Sequence, residues 1–181
     1  MIRAFNGKMP KVADSAFVSE RAYVVGDVEI GENSGIWPGA VIRADFGAVR
    51  IGNGSQIEDN SVIHTGAPIE IGDQVIIGHG AIVHCQKIGN NVLIGNNATI
   101  LDYAEIGDNC IIAANSMVAT DQKIPPNSLV AGVPAKIKRV SSPEEMEETR
   151  RRVSERYIRM QGANEILTYP KLVEKYKKEE L

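Results

Sequence analysis

The sequence predicts an all-β fold in which the chain winds as a parallel β-helix. Three observations predict it: aliphatic residues recur every six positions, a small or β-branched residue usually follows four positions after each of them, and glycine is frequent while aromatic residues are rare. The 17 glycines and the 5% aromatic share suit thin, repeated packing layers better than a core of large side chains. A chain of 181 residues is long enough for one such core.

The six-residue period runs from residue 12 to about residue 135. An amphipathic helix repeats near 3.6 residues and a half-buried strand near two, so neither explains the pattern. Units that each form one short strand and one corner do explain it, because stacked coils bury a continuous aliphatic ladder. The twenty ladder positions are all Ile or Val, namely Val12, Val18, Val24, Ile30, Ile36, Ile42, Ile51, Ile57, Ile63, Ile71, Ile77, Val83, Ile88, Ile94, Ile100, Ile106, Ile112, Val118, Ile124 and Val130.

Three irregular intervals interrupt this period. The intervals 42–51, 63–71 and 83–88 measure nine, eight and five residues instead of six. Extra residues must leave the coil as loops, and loops on a rigid scaffold often carry binding and catalytic sites. All three intervals lie close to histidines, so we expect a site in this part of the chain.

The hexapeptide pattern resembles the left-handed β-helix of the hexapeptide-repeat superfamily, in which three repeats make one triangular coil. The resemblance implies a left-handed β-helix domain of about seven coils at residues 1–140. The segment 131–136 ends the period, and Ser142, Pro143 and Glu145 form a helix start signal. We therefore expect a C-terminal α-helical tail at 141–181 that packs on the β-helix, with a helix at about 143–160 and a second helical stretch after Tyr169.

The composition argues against several classes of protein. The net charge is -3 and balanced in both halves, so we expect no nucleic-acid partner. The chain lacks the run of about 18 apolar residues that a membrane span needs, and residues 1–12 do not resemble a secretion signal. Two cysteines are too few for a disulfide scaffold and fit a reducing compartment. We expect a cytoplasmic protein that does not bind membranes.

The three histidines, His64, His79 and His84, fall within 21 consecutive residues, which favours a metal site. His64 and His84 each directly follow a ladder residue and are three repeats apart. They should therefore lie on one edge in neighbouring coils, about 4.8 Å apart. His79 follows its ladder residue by two positions, in the preceding repeat, so we expect it on a different side of the triangle.

Because His79 lies on a different side of the triangle, we expect that it cannot join the other two histidines within one subunit. The five residues up to His84 can span about 17 Å, whereas zinc requires each nitrogen at about 2.0–2.1 Å. A metal bound by all three histidines must therefore take His79 from another subunit. A threefold axis would create three equivalent sites in a closed ring, so the register predicts a homotrimer with a metal at each interface.

Arg43-x-Asp45, the segment 59–64 (DNSVIH) and the segment 78–84 (GHGAIVH) together resemble the gamma-class carbonic anhydrase family. The resemblance implies a homotrimer in which three histidines from two subunits hold Zn²⁺, with Fe²⁺ or Co²⁺ as alternatives. It implies reversible hydration of carbon dioxide to bicarbonate by a metal-bound hydroxide. It also implies that Arg43 and Asp45 form ion pairs between subunits and help to position bicarbonate.

The chain departs from the family pattern at three places. Gln56 and Glu58 stand where the family commonly has Asn-x-Gln, and we expect both to reach the site from the subunit that gives His79. Glu58 would act as a base or repel the developing hydroxide. Phe46 replaces an acidic proton relay, and the acidic shuttle loop is missing. We therefore expect slow or differently routed catalysis.

Two other functions remain open. The segment 127–136 also resembles the end of many hexapeptide acyltransferases, so the chain could instead transfer acyl groups or process CoA thioesters. Those enzymes often use a single histidine as base, so three histidines at the spacing of metal ligands count against this interpretation. A non-catalytic metal-binding scaffold fits the presence of Gln56 and Glu58. A fourth ligand from Cys85, next to His84, would close the site and make it structural.

Overall fold

A computed structural model of the protein describes residues 1–64 and 66–142, together with residues 144 and 148. Within these ranges short strands stack as a parallel β-helix, which confirms the fold class predicted from the six-residue period. The predicted helix at about 143–160 and the second one after Tyr169 lie outside the described residues, apart from positions 144 and 148. No helix among the described residues is long and apolar enough to cross a membrane.

The described chain forms twenty strands, most of them two or three residues long, because each six-residue unit supplies one strand and one corner. In chain order they are β1 (Ile2–Arg3), β2 (Lys11–Val12), β3 (Phe17–Val18), β4 (Tyr23–Ile30), β5 (Gly35–Ile36), β6 (Val41–Ile51), β7 (Gln56–Ile57), β8 (Val62–His64), β9 (Ile69–Ile71), β10 (Ile76–Ile77), β11 (Ile82–Val83), β12 (Lys87–Ile88), β13 (Leu93–Ile94), β14 (Thr99–Ile100), β15 (Glu105–Ile106), β16 (Ile111–Ile112), β17 (Met117–Val118), β18 (Lys123–Ile124), β19 (Ser128–Ala131) and β20 (Lys136–Val140).

The strands stack into three faces, and each face receives one strand from every coil. The first face contains β1, the start of β4, the start of β6, β8, β11, β14 and β17. The second contains β3, β5, β7, β10, β13, β16 and β19, and the third contains β2, the ends of β4 and β6, β9, β12, β15 and β18. The seven stacked strands of the second face agree with the predicted number of coils. At the C-terminal end β20 folds back antiparallel on β19.

The aliphatic ladder forms the core of the coil. Ile57, Ile63, Ile77 and Val83 are completely buried, as are many other ladder residues. Burying each of these side chains contributes about 1.5–3 kcal/mol relative to leaving it in water. The small residues four positions later also point inward, and the hydroxyl of Ser55 donates to the Gly72 carbonyl of the next coil at 2.9 Å.

Side chains alternate along a strand, so the residue before each ladder residue points outward. On the first face these outward residues carry no charge and are apolar or β-branched, so we call it the apolar face. The outward residues of the apolar face are Tyr23, Val41, Val62, Ile82, Thr99 and Met117. On the third face the outward residues alternate between positive and negative charge from coil to coil, so we call it the charged face. The outward residues of the charged face are Lys11, Glu29, Arg50, Glu70, Lys87, Glu105 and Lys123.

The apolar face is bordered by two corners that carry the histidines. The corner between the apolar and charged faces holds His64 and His84, and all three irregular intervals of the repeat fall on it. We call it the His64 corner. The corner between the second face and the apolar face holds His79, which follows β10, and we call it the His79 corner. Both placements confirm the positions predicted from the repeat register.

Candidate metal centre

His64 and His84 lie side by side at the His64 corner. Strands β8 and β11 pair with Ile63 opposite Val83, so the residues that follow them stack in adjacent coils. Nδ1 of His64 is 3.3 Å from Nε2 of His84, and the ring centroids are 5.4 Å apart. The adjacency predicted from the six-residue period is therefore confirmed at the level of the ring nitrogens.

Each ring of this pair contacts a carboxylate through its other nitrogen. Nε2 of His64 is 2.9 Å from Oδ1 of Asp45, and Nδ1 of His84 is 2.9 Å from Oδ1 of Asp102. An ionised carboxylate can only accept hydrogen bonds, so these two ring nitrogens must donate. A neutral imidazole carries one N–H, which leaves a lone pair on the other nitrogen. Both lone pairs therefore border the gap between the rings.

The geometry of this gap fits a metal ion. Two nitrogens that each bind tetrahedral zinc at about 2.0–2.1 Å stand about 3.3 Å from one another, and the separation of the two ring nitrogens here is 3.3 Å. A carboxylate on the outer nitrogen is the arrangement commonly found around metal-ligating histidines, because it fixes the tautomer and raises the basicity of the ring. His64 and His84 thus fit two ligands of one ion.

His79 lies across the apolar face from this pair. Its Nε2 is 3.2 Å from Oε2 of Glu58, and its Nδ1 is 3.1 Å from Oδ2 of Asp59. Its backbone N–H also donates to Oε2 of Glu58 at 3.1 Å. The His79 side chain is 50% exposed, whereas the Glu58 side chain is 6% exposed. A half-exposed imidazole at the border of the apolar face is open to a neighbouring molecule. Either nitrogen could become a metal ligand once it gives up both its carboxylate contact and the hydrogen that it donates there.

The described part of one chain does not complete a metal site. No group of three or more His, Cys, Asp or Glu side chains within residues 1–64 and 66–142 is placed to hold a metal ion. One chain offers two nitrogens at the His64 corner and a third at the His79 corner. This division agrees with the prediction that the three histidines cannot meet within a single subunit.

Arg43 and Asp45 extend the His64 corner by one coil. Arg43 is opposite His64 in the β6–β8 pairing, and its guanidinium donates to Oδ2 of Asp45 at 2.6 Å through one nitrogen and at 3.2 Å through another. Burial raises the pKa of Asp45, but the hydrogen bond from Arg43 and the nearby positive charge outweigh it and lower the pKa below its ordinary value. Asp45 is therefore ionised at neutral pH and bridges Arg43 and His64. Within one chain the two residues pair with each other.

Gln56 and Glu58 are both buried, but they contact different groups. The carboxylate of Glu58 touches His79, whereas Oε1 of Gln56 accepts a hydrogen bond from Nε1 of Trp37 at 2.9 Å. Trp37 in turn packs against Phe17, with ring centroids 5.4 Å apart. Glu58 thus belongs to the His79 corner, and the catalytic roles of Gln56 and Glu58 stay predictions.

Cys85 directly follows His84 and Phe46 directly follows Asp45 in the sequence, but the first is buried and the second is exposed. The Cys85 side chain is 1% exposed inside the core, and burial raises the pKa of its thiol to about 12. This placement argues against Cys85 as a fourth ligand. Phe46 is 76% exposed and meets the His64 ring edge-on, with centroids 6.0 Å apart. An apolar ring therefore covers one side of the His64 imidazole.

Asp102 was missed by reasoning from the sequence. It lies one coil beyond His84 at the same corner, because Val83 is opposite Ile100 in the β11–β14 pairing. A search for acidic residues one coil away from each histidine would have found it, since it stands 18 residues after His84.

Comparisons with known proteins agree with the repeat. The family described as bacterial transferase hexapeptide (six repeats) matches residues 87–120. A protein named carbonic anhydrase from Geobacillus kaustophilus is 45% identical over 64 residues, which cover 35% of this chain and 35% of that protein. The match thus spans about a third of the length of this curated relative.

Two solved structures are similar over longer stretches. A hexapeptide transferase family protein from Anaplasma phagocytophilum is 35% identical with a TM-score of 0.83, and the match covers 88% of this chain and 95% of that one. A hexapeptide-repeat acetyltransferase from Vibrio cholerae, solved in complex with acetyl coenzyme A, is 31% identical with a TM-score of 0.57, and the match covers 62% of this chain and 70% of that one.

Proposed function

The chain belongs to the hexapeptide-repeat family. We propose that within this family it is a gamma-type carbonic anhydrase, which hydrates carbon dioxide reversibly at metal centres that each lie between two subunits of a trimer. One observation carries the proposal: two imidazole nitrogens border a 3.3 Å gap, and a carboxylate holds the far side of each ring. An acyltransferase that uses histidine as a base has no need for this paired arrangement. The relative named carbonic anhydrase supports the same reaction.

The faces of the β-helix support a trimer that completes this site. Three copies with their apolar faces around a threefold axis would bring the His79 corner of each subunit against the His64 corner of the next. The outward residues of the apolar face would then leave water, while the ion pairs of the charged face would remain exposed. Each junction would contain His64 and His84 of one chain and the partner subunit's His79.

At each junction the residues of the chain would have separate roles in binding metal, binding bicarbonate and transferring protons. These histidines would hold a divalent metal, Zn²⁺ or else Fe²⁺ or Co²⁺, which would act as a Lewis acid and activate water at neutral pH. Arg43 has five N–H donors and uses two nitrogens on Asp45, so it retains donors for anionic bicarbonate. Glu58 lies against His79 and would accompany it to the junction, where its carboxylate accepts a proton. Phe46 offers no acidic relay, so we propose slow turnover.

The first test measures metal content and activity together. The protein is purified without oxygen, metal per chain is determined, and carbon dioxide hydration is assayed with zinc, cobalt and iron for the wild type, His79→Ala and a matched control, Lys87→Ala. We expect about one metal per chain and hydration activity in the wild type and in the control, and loss of activity in His79→Ala. A metal-free wild-type trimer would contradict the proposal.

A second test asks whether the site is shared between subunits. His79→Ala and His64→Ala chains are co-expressed in equal amounts, each chain supplying what the other lacks. Random assembly places one intact junction in every mixed trimer, so about a quarter of all sites should be restored. Each variant alone should be inactive. Mixed trimers with no more activity than the separate variants would show that the three histidines do not act across a subunit boundary.

Two alternative functions predict different results. A metal-loaded trimer that does not hydrate carbon dioxide with any of the three metals would be a metal-binding scaffold. Acyl transfer or thioester cleavage that survives His79→Ala would instead favour a hexapeptide acyltransferase or a CoA-thioesterase. The similarity to an acetyltransferase solved with acetyl coenzyme A is the reason to assay these two reactions.

A further inference from the structure

We propose that Asp102 is a positioning residue of the metal centre, which holds His84 in the tautomer that leaves Nε2 free to bind metal. The inference rests on the proposed function, because it assigns a role to a residue behind the proposed ligands. Its structural basis is the 2.9 Å contact between Oδ1 of Asp102 and Nδ1 of His84.

The coil fixes the distance between the two residues. The backbone N–H of His84 donates to the carbonyl of Ile100 at 2.9 Å, and the carbonyl of Asp102 accepts from the backbone N–H of Asp121 at 3.0 Å. Both residues are therefore attached to the ladder of backbone hydrogen bonds that holds the coils together. The carboxylate reaches His84 from a rigid support and not from a free loop.

The contact decides which nitrogen of His84 carries the hydrogen. A neutral imidazole has two tautomers, and a carboxylate at Nδ1 selects the one with Nδ1–H. Nε2 then presents its lone pair to the gap shared with Nδ1 of His64. In the other tautomer an N–H would point into this gap and would have to be lost before a metal could bind.

The surroundings of Asp102 distinguish this role from a structural one. Asp45 at His64 is 16% exposed and is also tied to Arg43, whereas the Asp102 side chain is 45% exposed. Within the described residues, the hydrogen bond with His84 is the one interaction found for the Asp102 carboxylate. A single contact between two half-exposed side chains contributes little to folding. Removing it should therefore weaken metal binding much more than it lowers the thermal stability.

The turn at Asp102 is also unusual. Tyr103 follows it with φ 58, in the left-handed region, where the other non-glycine residues of the described chain are all Asn, Asp or Gln. A bulky aromatic residue in this region is strained, and such strain tends to concentrate at functional sites. The strained turn begins immediately after the carboxylate that contacts His84.

The experiment compares Asp102→Ala and Asp102→Asn with the wild type and with Glu105→Ala, which removes an exposed carboxylate from the same coil on the charged face. ¹⁵N NMR of the histidines in the metal-free protein reports the tautomer of His84. Competition with a chelator gives the zinc dissociation constant, and thermal unfolding of the metal-free protein reports stability.

We expect the Nδ1–H tautomer in the wild type, in Glu105→Ala and in Asp102→Asn, because the amide oxygen of asparagine can also accept from Nδ1. Asp102→Ala should lose this preference and bind zinc about 10–100-fold more weakly, with an unfolding temperature close to that of the wild type. Asp102→Asn should recover part of the affinity.

Unchanged tautomer and zinc affinity in Asp102→Ala would overturn the role of Asp102, whether or not the wild type is an active carbonic anhydrase. Conversely, a wild type that binds zinc without hydrating carbon dioxide would contradict the proposed catalysis, while a zinc affinity lost in Asp102→Ala and partly recovered in Asp102→Asn would still support the positioning role.

Discussion

The apolar face and the charged face are made from the same six-residue unit and the same buried ladder, but they present opposite surfaces. On the charged face the outward side chains alternate in sign over seven coils, and Lys11 pairs with Glu29 at 2.9 Å and Lys123 with Glu105 at 3.1 Å. On the apolar face the corresponding positions carry Tyr23, Ile82 and other residues without charge. The inward residues determine that a coil forms, and the outward residues determine which side remains in water.

This difference connects the fold to the proposed site. Both histidine corners border the apolar face, whereas the charged face borders the His64 corner alone. If the apolar face is the surface between subunits, assembly and metal binding are a single event, because burying that face brings the partner subunit's His79 to the His64 corner. Substitutions on the two faces should therefore have different consequences, and those on the apolar face should be the larger.

Ile82→Glu should have the largest effect, because it places a carboxylate at the centre of the apolar face. Each buried, unpaired carboxylate costs several kcal/mol, and a trimer would contain three of them. We expect dissociation to monomers, measured by light scattering, together with loss of bound metal. The coil itself should remain folded, since Ile82 points outward and is 39% exposed in the single chain.

Lys87→Glu is the matched control for this prediction. It introduces the same residue into the same coil, but on the charged face, where it would stand between Glu70 and Glu105. Like charges on neighbouring strands cost roughly 0.2–1 kcal/mol, so the protein should remain trimeric and bind metal. Dissociation caused equally by both variants would show that the faces do not differ in the way proposed.

Ile106→Ala should have the next largest effect, on folding and not on assembly. Ile106 is 1% exposed beneath the charged face, and truncating a buried isoleucine to alanine costs about 2–5 kcal/mol. Ile100→Ala, beneath the apolar face, should lower the unfolding free energy in urea by a similar amount. Loss of trimers in Ile106→Ala under conditions where the chain remains folded would contradict the separation of core and surface roles.

The fold could be predicted from the sequence because the six-residue period is regular and continues over a long stretch of the chain. It placed the ladder, the corner with the irregular intervals and the separation of His79 from the other two histidines. These features depend only on counting residues along a coil of constant geometry. The C-terminal tail has no such period, and its predicted helices lie outside the described residues.

The partners of the site residues could not be obtained in this way. Gln56 and Glu58 are two positions apart on either side of a ladder residue, so both point outward from the coil, yet one contacts Trp37 and the other contacts His79. Asp102 was missed because it is two positions beyond its ladder residue, whereas His84 is one position beyond its own. Side-chain length and rotamer determine such contacts, and the repeat does not encode either.

Tyr103→Asn, at the His64 corner, should have a smaller effect and should stabilise the folded protein. A left-handed backbone costs an ordinary residue about 1–2 kcal/mol, and asparagine tolerates it better. We expect a gain of about 1 kcal/mol in unfolding free energy, measured in urea. The tautomer of His84 should not change, because asparagine can keep the same turn after Asp102. Tyr103→Ala is the control, since it removes the aromatic ring but keeps the strained backbone, and it should not be stabilised.

Arg50→Met should give the smallest effect, and it should appear on the charged face as a dependence on pH. Hydrogen bonds from Lys8 and then Arg50 lower the pKa of Asp27 below 3.8, and Lys11 followed by Arg50 lowers the pKa of Glu29 below 4.5. A carboxyl group whose pKa is lower in the folded state stabilises the protein above its unfolded pKa, and this stabilisation disappears as the pH falls through the folded value.

The unfolding temperature of Arg50→Met should therefore lie below that of the wild type at neutral pH, and the difference should narrow as the pH falls below about 4. High salt should narrow it as well, because these ion pairs are exposed. The same scans on Val41→Ala, which lies opposite Tyr23 on the apolar face, should give a difference that does not depend on pH in this range, since no carboxylate is involved. A difference for Arg50→Met that persists in acid would mean that Arg50 acts through its 2.8 Å hydrogen bond to the Asp27 carbonyl and not through charge.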